Sequence, residues 1–189
     1  MSSTLTPIVS IRAHMKQGRL LFLGDSLIAN FDWQARITHF EVQNLSTCGE
    51  TVQSLLNKMT LIKDQAADPQ IIFIMIGTNN LLMEDYTYLD SLQKSVVLLS
   101  QYYPTAEVII NSLFPLQISW IDQEAVQQLN LSMKTISLQS GCCFLDLFAN
   151  FKSIKAGLFQ ADGIHFTEAG YNLWAKSILE YIAFLLEDD

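Results

Sequence analysis

Two periodicities alternate along the chain. Apolar runs of strand length fall at residues 19–23, 41–45, 71–76, 106–111 and 142–147, and segments with apolar residues at helical spacing lie between them. The third and fourth runs are apolar nearly throughout, as expected of strands covered by helices on both faces. Val52, Leu55, Leu56, Met59 and Ile62 share one helical face, as do Leu89, Leu92, Val96 and Leu99, and again Val126, Leu129, Met133 and Ile136. Thr167 as N-cap, with Glu168 in the first turn, opens a last helix whose stripe is Tyr171, Trp174, Ile178, Tyr181 and Leu185. A further helix is expected near residues 8–16. Right-handed crossovers return each helix to the sheet, so the alternation predicts a five-stranded parallel sheet inside a three-layer α/β/α sandwich. No Pro/Gly/Ser-rich linker, repeat or low-complexity tract interrupts it, and 189 residues suit a single domain over 1–189.

In such sheets ligands gather beyond the carboxyl ends of the strands. Three polar segments fall there: Gly24-Asp25-Ser26 after the first strand, residues 46–49 after the second and Gly77-Thr78-Asn79-Asn80 after the third. A fourth, Asp162-Gly163-Ile164-His165, stands just ahead of the Thr167 cap. Ser26, at a strand end before a helix, can present its hydroxyl at the sheet edge and point its own N–H at a developing oxyanion. His165 is the candidate base. Asp162, three residues earlier in a Gly-containing turn, can fold back onto one ring nitrogen, fix the tautomer and leave the other nitrogen to face Ser26. The Asn79 carboxamide is a neutral donor suited to stabilising negative charge, and Gly49 lets a backbone N–H approach substrate because it has no Cβ. Each segment alone reads as an ordinary turn or helix cap. Four of them in order at one edge read as the parts of a serine hydrolase. His14 and His39 have no strand-end serine or paired acid nearby and are assigned to surface or packing.

Composition narrows the picture. Half of the residues are apolar or aromatic and 16% are charged, which excludes a disordered chain. Lys and Arg number 11 against 19 Asp and Glu, a net charge of -8, and no basic cluster offers a nucleic-acid footprint. The longest apolar stretch falls far short of the roughly 20 residues of a membrane span. The N-terminus lacks a basic region followed by an apolar run, so no secretory signal is expected. Cys48, Cys142 and Cys143 have neither zinc-site nor disulfide-framework spacing, which suits a reducing cytoplasm. No cluster of His, Cys and carboxylates has metal-ligand spacing, and no cofactor is called for.

The four segments resemble the SGNH hydrolases, the GDSL-type lipases and acylhydrolases. Leu21-Phe22-Leu23-Gly24-Asp25-Ser26-Leu27 is similar to the family's first block, Asn44-Leu45-Ser46-Thr47-Cys48-Gly49-Glu50-Thr51 to its second, Ile74-Met75-Ile76-Gly77-Thr78-Asn79-Asn80 to its third and Asp162-Gly163-Ile164-His165-Phe166 to its fifth. The resemblance implies a flavodoxin-like fold and a cofactor-free carboxylic-ester hydrolase acting on a small-molecule acyl ester. It implies Ser26 as nucleophile, His165 as base, Asp162 as its orienting acid, and an oxyanion hole of the Ser26 and Gly49 N–H groups with the Asn79 side chain. Ser46 departs from a position that is often Gly, and Asn80 from one that is commonly Asp. Asp25 is expected to hold the nucleophile turn through local hydrogen bonds. Leu81, Leu82, Met83 and residues 113–120 are the candidate walls of an open groove for small or medium acyl groups. Acyl-thioesterase, lysophospholipase and carbohydrate O-acetyl esterase activities stay open on the same fold, as does a binding protein without catalysis.

Overall fold

The computed structural model describes residues 18–154 and 157–187. The helix expected near residues 8–16 lies outside them. Five strands, β1 (Arg19–Gly24), β2 (Glu41–Asn44), β3 (Ile71–Met75), β4 (Glu107–Asn111) and β5 (Cys143–Leu145), form one sheet in the order β2-β1-β3-β4-β5. All four pairings are parallel. The predicted α/β/α sandwich is therefore what the chain forms. The helices are α1 (Ser26–Ala29), α2 (Trp33–Arg36), α3 (Val52–Asn57), α4 (Met59–Gln65), α5 (Thr78–Leu82), α6 (Leu89–Tyr102), α7 (Gln123–Ser140), α8 (Phe148–Ser153) and α9 (Glu168–Glu187).

Alternation along each strand divides the core in two, because successive side chains point to opposite faces. Leu21, Leu23, Ile72, Ile74, Val108 and Ile110 pack with the apolar stripes of α3, α4, α6 and α7. Leu20, Phe22, Phe73, Met75 and Ile109 face the other way, onto Trp33 of α2, Phe151 of α8 and Trp174 and Ile178 of α9. Every residue of β3 is buried, whereas the edge strand β2 has none fully buried.

Three expectations needed correction. The Val52 to Ile62 stripe is broken at Lys58, which leaves helical geometry (φ -100°, ψ 13°) and divides α3 from α4. Strand β5 is three residues long, because the Leu147 N–H turns to the Ser112 hydroxyl at 2.9 Å and α8 begins. Leu81, Leu113, Phe114 and Leu116 are buried in the core, with Leu116 also lining a surface pocket of about 210 Å³ beside Pro115 and Gln117, whereas Met83 and Trp120 of the same segments are exposed.

Aromatic packing seats α9 against the sheet. Trp174 lies edge-on to Trp33 and Phe114, with centroids 4.9 Å away in both cases, and its indole N–H donates to Asn111 Oδ1 at 3.2 Å. The Tyr171 hydroxyl donates to the Leu27 carbonyl at 3.0 Å, and the Tyr171 ring stacks on Phe31. The Thr167 hydroxyl accepts from the Gly170 N–H at 3.3 Å, as a cap should, and donates to the Gly157 carbonyl at 2.5 Å. Among the described residues no helix is long and apolar enough to cross a membrane. Trp174 is fully buried, so Trp174→Ala should lower the unfolding free energy by about 3–5 kcal/mol, measured by urea titration.

Candidate active site

The first three segments emerge from the carboxyl ends of β1, β2 and β3, as the sequence indicated. Gly24 pairs with Met75, and any Cβ at position 24 would collide with the Met75 carbonyl oxygen, so the close approach of these strand ends requires glycine. Ser26 follows as the first residue of α1. Asp25 caps that helix, its Oδ1 accepting from the Leu27 N–H at 3.0 Å. The first N–H groups of a helix have no intrahelical acceptor, so that of Ser26 is available to a ligand.

The structure brings Ser26, His165 and Asp162 into one chain of hydrogen bonds. Ser26 Oγ lies 2.9 Å from His165 Nε2, and His165 Nδ1 lies 2.7 Å from Asp162 Oδ2. The other Asp162 oxygen accepts from the Ile164 and His165 N–H groups at 2.9 and 3.0 Å, which folds the turn and leaves both carboxylate oxygens engaged. Gly163 makes this turn possible. Its φ is +71°, and an added Cβ would stand 2.5 Å from the Gln117 carbonyl oxygen. The Gln117 N–H in turn donates to the Gly163 carbonyl at 2.8 Å, so the turn is bonded to the loop after β4.

Two carboxyls beside His165 have opposite electrostatics. Partial burial raises the Asp162 pKa, but the bonds from the His165 ring and from the Ile164 and His165 N–H groups outweigh it and hold the carboxyl below its usual range. Asp25 is fully buried, and that desolvation pushes its pKa up to about 6 against the opposing pull of the Leu27 N–H, the Thr78 hydroxyl and N–H, and the charge of His165.

The two remaining oxyanion candidates sit on a loop and a turn that are fastened together. Gly49 is exposed with φ +75°, and a Cβ there would meet no protein atom within 4 Å. The backbone conformation is therefore what demands glycine at this position. Its loop hangs from β1, with the Thr47 N–H donating to the Gly24 carbonyl at 3.0 Å, and from α1, with Cys48 Sγ 3.2 Å from Asn30 Oδ1. Asn79, the second residue of α5, donates through Nδ2 to the Glu50 carbonyl at 2.9 Å, which orients the amide and leaves its second N–H free of that bond.

Two residues of this framework, Lys58 and Asp85, escaped the sequence reading, and two more, Glu50 and Asn80, stood in the second and third blocks without a role. Glu50 is buried and forms an ion pair with Lys58, which also donates to the Thr47 hydroxyl at 2.7 Å. Asn80 and Asp85 form the other pair, at 2.7 Å. Their one sequence signal is the Asn80 departure from the third-block pattern. His39 lines a shallow surface pocket of about 270 Å³ with Phe40 and α9 residues, and His14 lies outside the described residues. Among the described residues no group of three or more His, Cys, Asp or Glu side chains could hold a metal.

Comparison with known proteins identifies the family and the fold. Residues 22–173 match the GDSL-like Lipase/Acylhydrolase family. The chain belongs to that family. Among solved structures it is similar to a member of the lipolytic protein G-D-S-L family from Veillonella parvula, with 23% identity, a TM-score of 0.72 and coverage of 86% of this chain and 96% of the other. It is also similar to a carbohydrate esterase family 3 protein from Talaromyces cellulolyticus (17% identity, TM-score 0.72, 90% and 99% covered). A third similar structure is a mutant of an acetyl-xylooligosaccharide esterase from Geobacillus (20% identity, TM-score 0.69, 88% and 94% covered). No curated protein matches at a significant level.

The raised pKa of Asp25 has a signed consequence. Its folded value, about 6, exceeds the unfolded value of 3.8, so the stability it contributes is complete below the lower value and lost as pH rises through the upper one. The stability of the wild type minus that of Asp25→Asn, from denaturant titrations, should fall across that window and level off above it.

Proposed function

We propose that the protein hydrolyses carboxylic esters of small or medium acyl groups through an acyl-enzyme on Ser26, without a metal or cofactor. The observation that carries the reading is the Ser26–His165–Asp162 hydrogen-bond chain, at 2.9 and 2.7 Å. Ser26 Oγ attacks the acyl carbonyl while His165 Nε2 takes its proton, and the tetrahedral oxyanion is held by the Ser26 and Gly49 N–H groups and the Asn79 amide. As the intermediate collapses, the carbon–oxygen bond to the alcohol breaks and His165 returns the proton to that leaving oxygen. Water, deprotonated by His165, then attacks the acyl-enzyme and releases the acid with Ser26 restored. Asp162 remains ionised throughout, consistent with its lowered pKa, and holds the ring in the tautomer that accepts at Nε2.

A carbohydrate O-acetyl ester is the second reading, favoured by the acetyl-xylooligosaccharide esterase and carbohydrate esterase among the similar folds. Release of acetate from acetylated xylo-oligosaccharides, compared with that from p-nitrophenyl acetate, separates the two.

Ser26→Ala should lower kcat on p-nitrophenyl acetate by on the order of 10⁶ while the domain stays folded by circular dichroism. Unchanged hydrolysis would sink the assignment. Asn79→Ala removes one oxyanion donor and should cost roughly 10² to 10³ in kcat with a smaller change in KM. Asn79→Asp should be at least as harmful, because a carboxylate repels the oxyanion. Activity should survive EDTA, and loss with recovery on added zinc or manganese would contradict the mechanism.

A further inference from the structure

Two adjacent carboxamides fasten the loop that carries Gly49 to the turn that carries Asn79. Asn79 Nδ2 holds the Glu50 carbonyl at 2.9 Å. Asn80, buried, uses both ends of its amide: Oδ1 accepts from the Val52 N–H at 3.0 Å, and Nδ2 donates to Asp85 Oδ2 at 2.7 Å. Asp85 is fixed from its far side by Thr87, whose N–H and hydroxyl donate to Oδ1 at 2.9 and 2.8 Å. The Thr87 N–H, then Asn80, then the Thr87 hydroxyl hold the Asp85 carboxyl below its usual range, so it is ionised at neutral pH.

A backbone donor on one side and an ionised acceptor on the other define what can stand between them. The group must accept at one atom and donate at the other, which a carboxamide does at every pH. A carboxylate at position 80 could accept from Val52 but would oppose Asp85 across the same short distance unless a proton were shared. We infer that Asn80 is a positioning residue for the oxyanion hole: by linking Val52 to Asp85 it fixes the loop of Gly49 against the Asn79 turn, so that both donors are aimed before substrate arrives. The inference rests on the ester-hydrolase reading above.

The elements around the pair carry a short roster of titratable groups. Glu50, on the loop of Gly49, and Lys58, at the end of α3, form an ion pair. Glu84 and Tyr86 flank Asp85 in an exposed segment, and Asp90 lies in the first turn of α6. Tyr88 is buried, and burial, then the Asp85 charge, raises its hydroxyl pKa above the usual range.

The test is an exchange of the two side chains. Steady-state kcat and KM on p-nitrophenyl acetate are measured for Asn80→Asp, Asp85→Asn and the double swap, each relative to wild type at the same pH, with amide hydrogen exchange at Val52 in parallel. In Asn80→Asp the second carboxylate ionises as pH rises and the two repel. Relative kcat should then fall roughly 10²-fold at mildly alkaline pH with KM little changed, and the Val52 amide should lose protection. The double swap restores one carboxamide and one carboxylate with roles exchanged: the carboxamide at 85 accepts from Thr87 and donates to the carboxylate at 80, which accepts from Val52. Its kcat should return to within about threefold of wild type. Wild-type kcat and Val52 protection in Asn80→Asp across the pH range, or a double swap no better than that variant, overturns the inference. Should Asn80→Asp fail to fold, the double swap must exceed Asp85→Asn in kcat, and the reverse order overturns it. A wild type that does not hydrolyse the ester refutes the functional reading instead, and the Val52 exchange series then decides for or against the clamp without turnover.

Discussion

The hydrogen bond between Ser26 and His165 joins residues 139 positions apart, and the architecture on one face of the sheet exists in service of that contact. Ser26 is fixed to the end of β1, but His165 belongs to a turn with no strand beneath it. Its position is inherited from its neighbours. Phe166 packs against Phe114, Phe151 and Trp174 in an aromatic cluster, and Tyr171, one turn into α9, bonds to the carbonyl of Leu27, the residue after Ser26. The burial that seats α9 thus also sets the distance between the proposed base and nucleophile, so core packing and catalytic geometry share the same residues.

Rigidity on the oxyanion side has a different origin. No large apolar side chain anchors the loop of Gly49, and the exposed Thr47 and Cys48 offer nothing to pack. Polar contacts fix it instead: the Gly24 carbonyl, Asn30, the paired Glu50 and Lys58, and the amides of Asn79 and Asn80. Such a network holds donors in place only if its members are all satisfied, since low dielectric makes each unmet group costly. Asp25, buried beside the proposed nucleophile, adds a carboxylate whose Oδ1 accepts from the Leu27 N–H and caps α1.

Much of this was legible in the sequence because it depends on local pattern. All five strands began within a residue of their expected start, since continuous apolar runs such as Ile71–Met75 can be satisfied only between two helical layers. The parallel sense of the sheet followed from the alternation of strands and helices, and the approach of Ser26, His165 and Asp162 was expected from the strand ends and the Asp162 turn. What the sequence hid was set by tertiary contacts. The break at Lys58 coincides with its ion pair to Glu50, a partner that lies outside α3 in the preceding loop. Leu81 and Leu113 looked like groove walls because loops are usually exposed, yet they belong to the buried core. Asp85 carries no motif and acquires its place only when α5 turns back toward α3.

The bond between Gln117 and Gly163 bears on how this scaffold could diversify. Loops beyond the strand ends are where a protein of this class would change what it accepts, and the β4–α7 loop is the longest such segment next to the base. Its backbone, however, is bonded to the residue between Asp162 and Ile164. Insertions before Gln117 would drag the acid–base turn with them, whereas the stretch from Ile118 to Asp122, which includes the exposed Trp120, has no such tether to that turn. Evolutionary freedom at this rim is therefore unequal: the distal half of the loop can explore new lengths and side chains, while the proximal half is conscripted into holding the histidine.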